Sequence, residues 1–467
     1  MTRSGLTRIP GLFEEAVTSA PEAARSIAWW QWIVAISLFF SVMTTLFPHA
    51  PGNPIKWHIL QHFTLSGETN VAAWWSGFLL ILLSLFAFQL AYRAPRDRIA
   101  WFVFSLVLLG LSLDEVGSLH ERVSAAATDT WGALLPYAIV LGLLVAYVLV
   151  TLVRRAETRR AAALIALAFF LFGAVAGQEY LEHLIEWPQW TIGLRVGIEE
   201  GTELLAMLII FIGLIHAGNQ GSAARRLPLI PDPRQFPYLP VLLLGGFLFH
   251  LGASLTVSSL SNFDKRGNPA IWVPLVLFVL LFARAASSLS SQEGSASQKS
   301  NWFLAAAGGI LLSVGSMYYS RIVIHQSVWY PGLLALALYT VIVWSQIAAT
   351  DRARHFFTVL FGAVVIYGLL LVALSLVQSR SAASFLASAF LFLQLAVAAS
   401  LDILLRGPLP GRRLALWLVP LALALLAAAG ANDQMLFILY GLQSMAIVAL
   451  MLQPQRSPVS VAALQNK

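Results

Sequence analysis

The amino-acid sequence predicts an all-α fold, a polytopic integral membrane bundle of about 14 transmembrane helices. Hydrophobic residues make up 58% of the 467 positions, and charged residues only 11%. The apolar residues are gathered in runs of about 20, the length at which an α-helix crosses a bilayer. The chain also contains no cysteine, which excludes disulfides, thiolate zinc sites and iron–sulfur clusters. Any metal would therefore be bound by carboxylate and imidazole groups.

The predicted spans divide the chain into two membrane halves with polar ends. We expect a cytoplasmic N-terminal segment (1–26), a first membrane half (27–236), a second membrane half (237–452) and a cytoplasmic tail (453–467). The individual spans are 27–48, 71–92, 99–121, 132–153, 161–186, 193–216, 238–260, 270–290, 302–322, 329–349, 356–378, 383–405, 414–430 and 434–452.

The basic residues predict how these spans are oriented. Most of the 29 lysines and arginines fall in alternate loops, which the positive-inside rule assigns to the cytoplasm. Both termini are then cytoplasmic, as expected for a protein of a bacterial inner membrane. Because the basic residues are spread over short loops and form no single patch, a nucleic-acid partner is not expected.

A weak internal repeat accompanies this pattern. The residues leading into the second span, from Phe63 to Trp74, resemble those leading into the eighth, from Phe263 to Trp272. This similarity predicts a degenerate repeat of six spans. The alternative is that Gly, Asn, Pro and Trp simply recur at membrane interfaces.

Acidic residues and histidines concentrate at the predicted outer, periplasmic ends of three spans. The candidate metal ligands are Asp114, His120, Glu121, Glu179, His183, Glu186, Glu199, Glu200 and Glu203, with His58, His62 and Glu68 as additional candidates. Glu115 and Glu182 are the candidate general bases.

The depth of these acids makes the cluster unusual. Only residues 99–113 separate the cytoplasmic arginines from Asp114, about 22 Å of helix against a hydrocarbon thickness near 30 Å. Asp114 and Glu115 are therefore predicted to lie inside the outer leaflet. Each intramembrane carboxylate costs on the order of 3 kcal/mol, so the group needs protons, water, basic partners or metal cations.

Helical spacing predicts which faces these residues share. Glu179, Glu182, His183 and Glu186 are spaced i, i+3, i+4 and i+7, so all four fall on one face of the fifth span. The glycine pairs Gly173/Gly177 and Gly197/Gly201 lie on other faces, which we expect to pack closely against neighbouring helices. The same spacing turns His120 away from the face of Asp114.

Carboxylates with one or two histidines from neighbouring helices form the sites of di-iron and di-manganese proteins. The usual Glu-x-x-His spacing is absent here, and one zinc ion held by His183, His120 and a glutamate is equally compatible. The remaining alternative is a solvated acidic mouth that binds calcium or nothing. Haem is not expected, because only His250 lies clearly at mid-membrane depth.

Two motifs carry a resemblance to known sequences. Leu111-Ser112-x-Asp114-Glu115-x4-His120-Glu121, followed by Glu199-Glu200-Gly201-x-Glu203-Leu204-Leu205, resembles uncharacterised bacterial multipass membrane proteins. Those proteins also carry an element like Gly67–Asn70. The resemblance covers roughly the first half of the chain and implies no activity.

Three functions fit these observations. The first is a metal-dependent membrane enzyme, using iron, manganese or zinc at the outer face on a lipid or lipid-linked substrate. The second is a cation- or proton-coupled transporter. The third is a structural or assembly subunit with partners in a membrane complex, suggested by the nearly uncharged second half.

Overall fold

A computed structural model describes most of the chain. It covers residues 29–47, 63–65, 71–120, 123, 130–185, 187–188, 191–220, 232–235, 238–255, 269–290, 296–325, 330–348, 382–407, 409, 411–428 and 433–453. The predicted span 356–378 lies outside these residues, as do His58, His62, Glu68, Glu121 and Glu186. His183 lies on a described helix, but its side chain is outside the description.

The described residues form α-helices and short 3-10 turns, without a β-strand among them. In chain order the helices are α1 (Trp29–Leu46), α2 (Val71–Arg93), α3 (Arg98–Gly117), α4 (Thr130–Val153), α5 (Arg159–Leu184), α6 (Ile192–Gln220), α7 (Leu239–Leu255), α8 (Trp272–Ser290), α9 (Ala296–His325), α10 (Tyr330–Ala348), α11 (Ala382–Arg406), α12 (Gly411–Ala428) and α13 (Asp433–Leu452).

These helices follow the apolar runs of the sequence. Each predicted span except 356–378 coincides with one of them. Ten are long and apolar enough to cross a membrane, whereas the apolar parts of α1, α7 and α10 are shorter. The all-helical prediction is confirmed for the part of the chain that the structure describes, and the long apolar helices are compatible with a multipass membrane bundle.

The core lies around α2, α8, α11 and α13. In α2, 89% of the most apolar stretch is buried, against 11% in α4. The outward face of α4 consists of aliphatic side chains such as Leu135, Ile139 and Leu143. A face of this kind is stable in contact with lipid acyl chains and unfavourable in contact with water.

Packing in the first half brings three helix ends together. Helix α3 packs on α2, α5 packs on α6, and α6 also contacts α1 and α2. The C-terminal ends of α3 and α5 therefore meet the N-terminal part of α6, where Glu115, Glu179 and Glu203 interact electrostatically. We call this the acidic end of the bundle.

Close packing by glycine is found on α6 but not on α5. At Gly197 an added Cβ atom would collide with the hydroxyl of Thr45 on α1, and Gly201 faces Ser41 at 3.8 Å. At Gly173 and Gly177, by contrast, no described atom lies within 4 Å of an added Cβ. The expectation of close packing was therefore wrong for the α5 pair among the described residues.

Buried aspartates pair with arginines at the opposite end of the bundle. The Asp97 carboxylate lies 3.0 Å from Arg155, and that of Asp232 lies 3.1 Å from Arg234. Asp402, whose side chain is 0% exposed, lies 3.4 Å from Arg406. Asp402 and Arg406 are spaced i, i+4 on α11. Since the residues that flank the spans at this end are mostly arginines, these aspartates neutralise part of their charge.

Candidate functional site

The last turn of α3 folds Asp114 and His120 onto each other. The helix ends at Gly117 because Ser118 adopts a left-handed conformation, with φ 47° and ψ 48°. The chain then turns back, so that the backbone N–H of His120 donates to Asp114 Oδ1 at 2.8 Å. The ring Nδ1 of His120 lies 2.9 Å from Asp114 Oδ2. The prediction that His120 points away from Asp114 was wrong, because it assumed an unbroken helix to residue 121.

Helix α5 carries two described carboxylates that face different partners. The helix ends at Leu184, and Ile185 is already extended, so the helical face predicted to reach Glu186 is shorter than expected. Glu182 Oε2 lies 2.7 Å from Arg195 Nη1 on α6. Glu179, one turn earlier, forms a side-chain hydrogen bond with Glu199. Glu182 is thus neutralised, while Glu179 faces another acid.

Helix α6 brings three half-buried glutamates to the same place. Glu200 interacts electrostatically with Glu115, Glu179, Glu199 and Glu203. Glu203 also faces Asp114 and His120. We call Glu115, Glu179, Glu199, Glu200 and Glu203 the carboxyl cluster.

The charge balance of the carboxyl cluster is unfavourable without a bound cation or proton. Each intramembrane carboxylate costs on the order of 3 kcal/mol, and like charges this close repel one another. The described cationic groups nearby are Arg195, bonded to Glu182, and His120, bonded to Asp114. The carboxyls of Glu179 and Glu199 are also close enough to interact directly across the two helices. The arrangement therefore suits a site that takes up protons or cations.

The predicted metal ligands are only partly assembled. No three described histidine, aspartate or glutamate side chains converge closely enough to hold a metal ion. Asp114, His120, Glu179, Glu199, Glu200 and Glu203 nevertheless lie at one end of the bundle, within electrostatic range of one another. The side chains of Glu121, His183 and Glu186 would have to complete a ligand set, and they lie outside the described residues.

A groove of about 530 Å³ runs beside the cluster, between α5 and α6. Its walls are apolar and include Gly177, Leu181, Leu194 and Ile198. Leu181, Leu194 and Ile198 are 48%, 53% and 51% exposed, so this side of the groove is an open, apolar edge of the bundle. At Gly177 no described atom lies within 4 Å of an added Cβ atom, so the groove reaches the backbone of α5 there.

A hydrogen-bonded polar network forms the floor of this groove. Gln178 Nε2 donates to Glu182 Oε1 at 3.2 Å and to the carbonyl oxygen of Arg195 at 3.1 Å. Arg195 Nε donates to Thr191 Oγ1 at 3.2 Å, and its guanidinium lies 5.6 Å from the Trp187 ring centroid. Sequence reasoning did not identify this network. The i, i+4 pairs Gln178/Glu182 and Thr191/Arg195 were the available signal.

His250 lies apart from the carboxyl cluster and is buried. Its two ring nitrogens face the backbone carbonyl oxygens of Ala270 and Phe437. Gly441 on α13 lies directly against the imidazole ring. These contacts place His250 between α7 and α13.

A protein-family model described as "Domain of unknown function (DUF8692)" matches residues 30–217. This range contains α2 to α5, nearly all of α1, most of α6 and every member of the carboxyl cluster. No curated protein and no solved structure matches the chain.

Proposed function

We propose that this chain is an integral membrane enzyme that acts on a lipid or lipid-linked substrate at its acidic end. The observation that carries the proposal is the position of Glu182. Its carboxylate belongs to the floor of the lipid-facing groove and also interacts electrostatically with Glu199 of the cluster. A substrate that enters the groove from the bilayer would therefore be next to the acidic side chains.

The two candidate bases have different roles in this proposal. Glu182 is held by Arg195 at 2.7 Å and by Gln178 at 3.2 Å, so it positions the groove and its charge is already compensated. Glu115 interacts electrostatically with Glu200 and Glu203 and is the proposed general base.

A divalent ion, iron, manganese or zinc, is the proposed cofactor. Glutamates of the cluster with His120 supply the oxygen and imidazole donors that such ions prefer, and His183, Glu121 and Glu186 would complete the set. When bound, the ion would supply Lewis acidity and offset the negative charge of the cluster.

Elemental analysis and lipid turnover test the proposal separately. Purified protein is expected to contain stoichiometric metal that is lost in Glu199→Gln and kept in Glu157→Gln, an exposed glutamate in the α4–α5 loop. Incubation with a total lipid extract, followed by mass spectrometry, should reveal a lipid species that wild type converts and Glu200→Gln does not. If no lipid species changed, the assignment of enzyme activity would be wrong. If the purified protein contained no metal, the assignment of a metal cofactor would be wrong.

The proposal also includes an orientation. The cluster faces the periplasm of a bacterial inner membrane, and both termini are cytoplasmic, as the arginine distribution predicts. Because the chain has no cysteine, single cysteines introduced at Trp187 and Arg154 can be labelled without background. A membrane-impermeant thiol reagent should label the first from outside and the second only after permeabilisation. The reverse pattern would invert the orientation.

Proton- or cation-coupled transport is the second candidate function. It is favoured by the close approach of the Glu179 and Glu199 carboxyls, which brings two proton- or cation-binding groups together across α5 and α6. If the chain is a transporter, proteoliposomes should show proton or cation flux that disappears in Glu200→Gln and persists in Glu157→Gln. If the proteoliposomes showed no flux while the same protein still converted lipids, the enzyme would be favoured over the transporter.

A further inference from the structure

We propose that the groove between α5 and α6 binds a zwitterionic phospholipid with a primary ammonium group. Arg195 would bind the phosphate, the Glu182 carboxylate beside it would bind the ammonium, and the space at Gly177 would take an acyl chain. As the substrate class of the enzyme, this lipid rests on the proposed function.

Arg195 is preorganised to bind an anionic oxygen. Its Nη1 is 2.7 Å from Glu182 Oε2, its Nε donates to Thr191 Oγ1 at 3.2 Å, and one face lies against Trp187. These contacts use two of its three nitrogens, and Nη2 has no hydrogen-bond partner among the described residues. A guanidinium fixed in this way binds phosphate at little entropic cost, because its rotamer is already set.

The charges around Arg195 select the headgroup. Glu182 balances the guanidinium, and Glu199 lies within electrostatic range of Glu182. A phosphate alone would add negative charge to a region already rich in carboxylates. A phosphate that carries an ammonium group two carbons away adds no net charge, and the ammonium can donate to a carboxylate. The site is therefore complementary to a phosphoethanolamine headgroup and less so to an anionic one.

The shape of the groove suits the apolar part of the same molecule. Its volume of about 530 Å³ falls within the usual range for ligand sites of roughly 300–1,000 Å³. Leu181, Leu194 and Ile198 line it and are about half exposed, so an acyl chain can enter sideways from the bilayer. At Gly177 the chain can lie directly against the helix backbone, where no described atom fills the space.

Native mass spectrometry of the full-length protein in detergent tests this directly. The protein is titrated with phosphatidylethanolamine, phosphatidylglycerol and diacylglycerol of identical acyl chains. We expect saturable binding of the ethanolamine lipid, with the other two at least roughly tenfold weaker. O-phosphoethanolamine alone should neither bind nor compete. Equal binding of all three lipids, or saturation by the free headgroup, would overturn the assignment.

Two pairs of variants test the two ends of the lipid. Arg195→Gln should weaken binding of the ethanolamine lipid roughly tenfold or more, whereas Arg160→Gln, on the exposed far end of α5, should not. Gly177→Leu should fill the groove and weaken binding of every lipid. Gly173→Leu is its matched control, since Gly173 is equally unhindered but does not line the groove. Equal effects within either pair would contradict the proposed pose.

The test separates this inference from the enzyme itself. Glu200→Gln leaves the groove intact, so it should bind the lipid normally even if turnover is lost. If the protein bound the ethanolamine lipid specifically but converted no lipid, the lipid-binding site would be supported and the enzyme activity would be rejected. Turnover that is unaffected by Arg195→Gln and Gly177→Leu would overturn the lipid site alone.

Discussion

Replacing Asp402 with asparagine should strongly destabilise the protein. The side chain is 0% exposed and lies 3.4 Å from Arg406 and 3.3 Å from Arg413. It also accepts a hydrogen bond of 2.8 Å from Trp417 Nε1. Asparagine keeps the shape and can still accept from Trp417, so the substitution removes essentially the charge.

The magnitude follows from the two arginines that would lose their counter-ion. At an effective dielectric constant near 20, each pair is worth about 5 kcal/mol of Coulomb attraction, most of which offsets the cost of burying the charges. Removing one member of a buried pair typically costs about 3–5 kcal/mol. Because asparagine can still hydrogen-bond, we expect about 3 kcal/mol, more than a hundredfold in the unfolding equilibrium.

Reversible unfolding by sodium dodecyl sulfate in mixed micelles measures this quantity. Glu157→Gln, an exposed carboxylate in the α4–α5 loop, is the control and should change the free energy of unfolding by less than about 0.5 kcal/mol. Adding Arg413→Gln to Asp402→Asn should recover part of the loss, since one uncompensated charge is removed. A loss below about 1 kcal/mol for Asp402→Asn would refute the reasoning, because the Asp402 ion pairs would then stabilise the protein no more than exposed surface ion pairs do.

Three further substitutions test other parts of the structure. Glu200→Gln removes one of several mutually repelling carboxyls, so in metal-free protein it should raise the thermal midpoint, whereas Glu182→Gln should lower it by breaking the ion pair with Arg195. A lower midpoint for Glu200→Gln in metal-free protein would contradict the repulsion. Ser118→Val should lower the free energy of unfolding by about 1–2 kcal/mol in the same detergent titration, because a β-branched residue is strained at φ 47°. An unchanged free energy of unfolding would show that the turn relaxes to accommodate valine. Gly441→Ala should lower the free energy of unfolding by about 1–3 kcal/mol, because the added methyl group overpacks against His250. The control is Gly245→Ala, whose methyl group meets no described atom within 4 Å and should leave stability unchanged. Equal thermal midpoints for the two variants would contradict the close contact.

The helices were predictable from the sequence because bilayer thickness imposes the length of each apolar run. The location of the acidic site was also predictable, since Glu179 and Glu199 face each other across two spans joined by a short turn. These features depend on local composition and chain order alone. A single sequence carries both.

Contacts that depend on the path of the backbone were not predictable. The left-handed residue Ser118 reverses the chain, and helical arithmetic therefore misplaced His120. The glycine pairs Gly173/Gly177 on α5 and Gly197/Gly201 on α6 look alike in sequence, yet of these four only Gly197 and Gly201 meet a neighbouring helix among the described residues. Which helix lies next to a glycine is decided by long-range packing, which no local pattern encodes.

The contact between α1 and α6 has a consequence for biogenesis. Helix α1 emerges from the ribosome first, but the surface formed by Gly197 and Gly201 exists only once α6 has been made. Until then, α3 and α5 must reside in the membrane with their acidic ends incomplete. Arrival of α6 then supplies Arg195 to Glu182 and docks α1 in the same step. A nascent chain cut before Ile192 should therefore be recognised by membrane quality control, whereas one that extends past Gln220 should resist degradation.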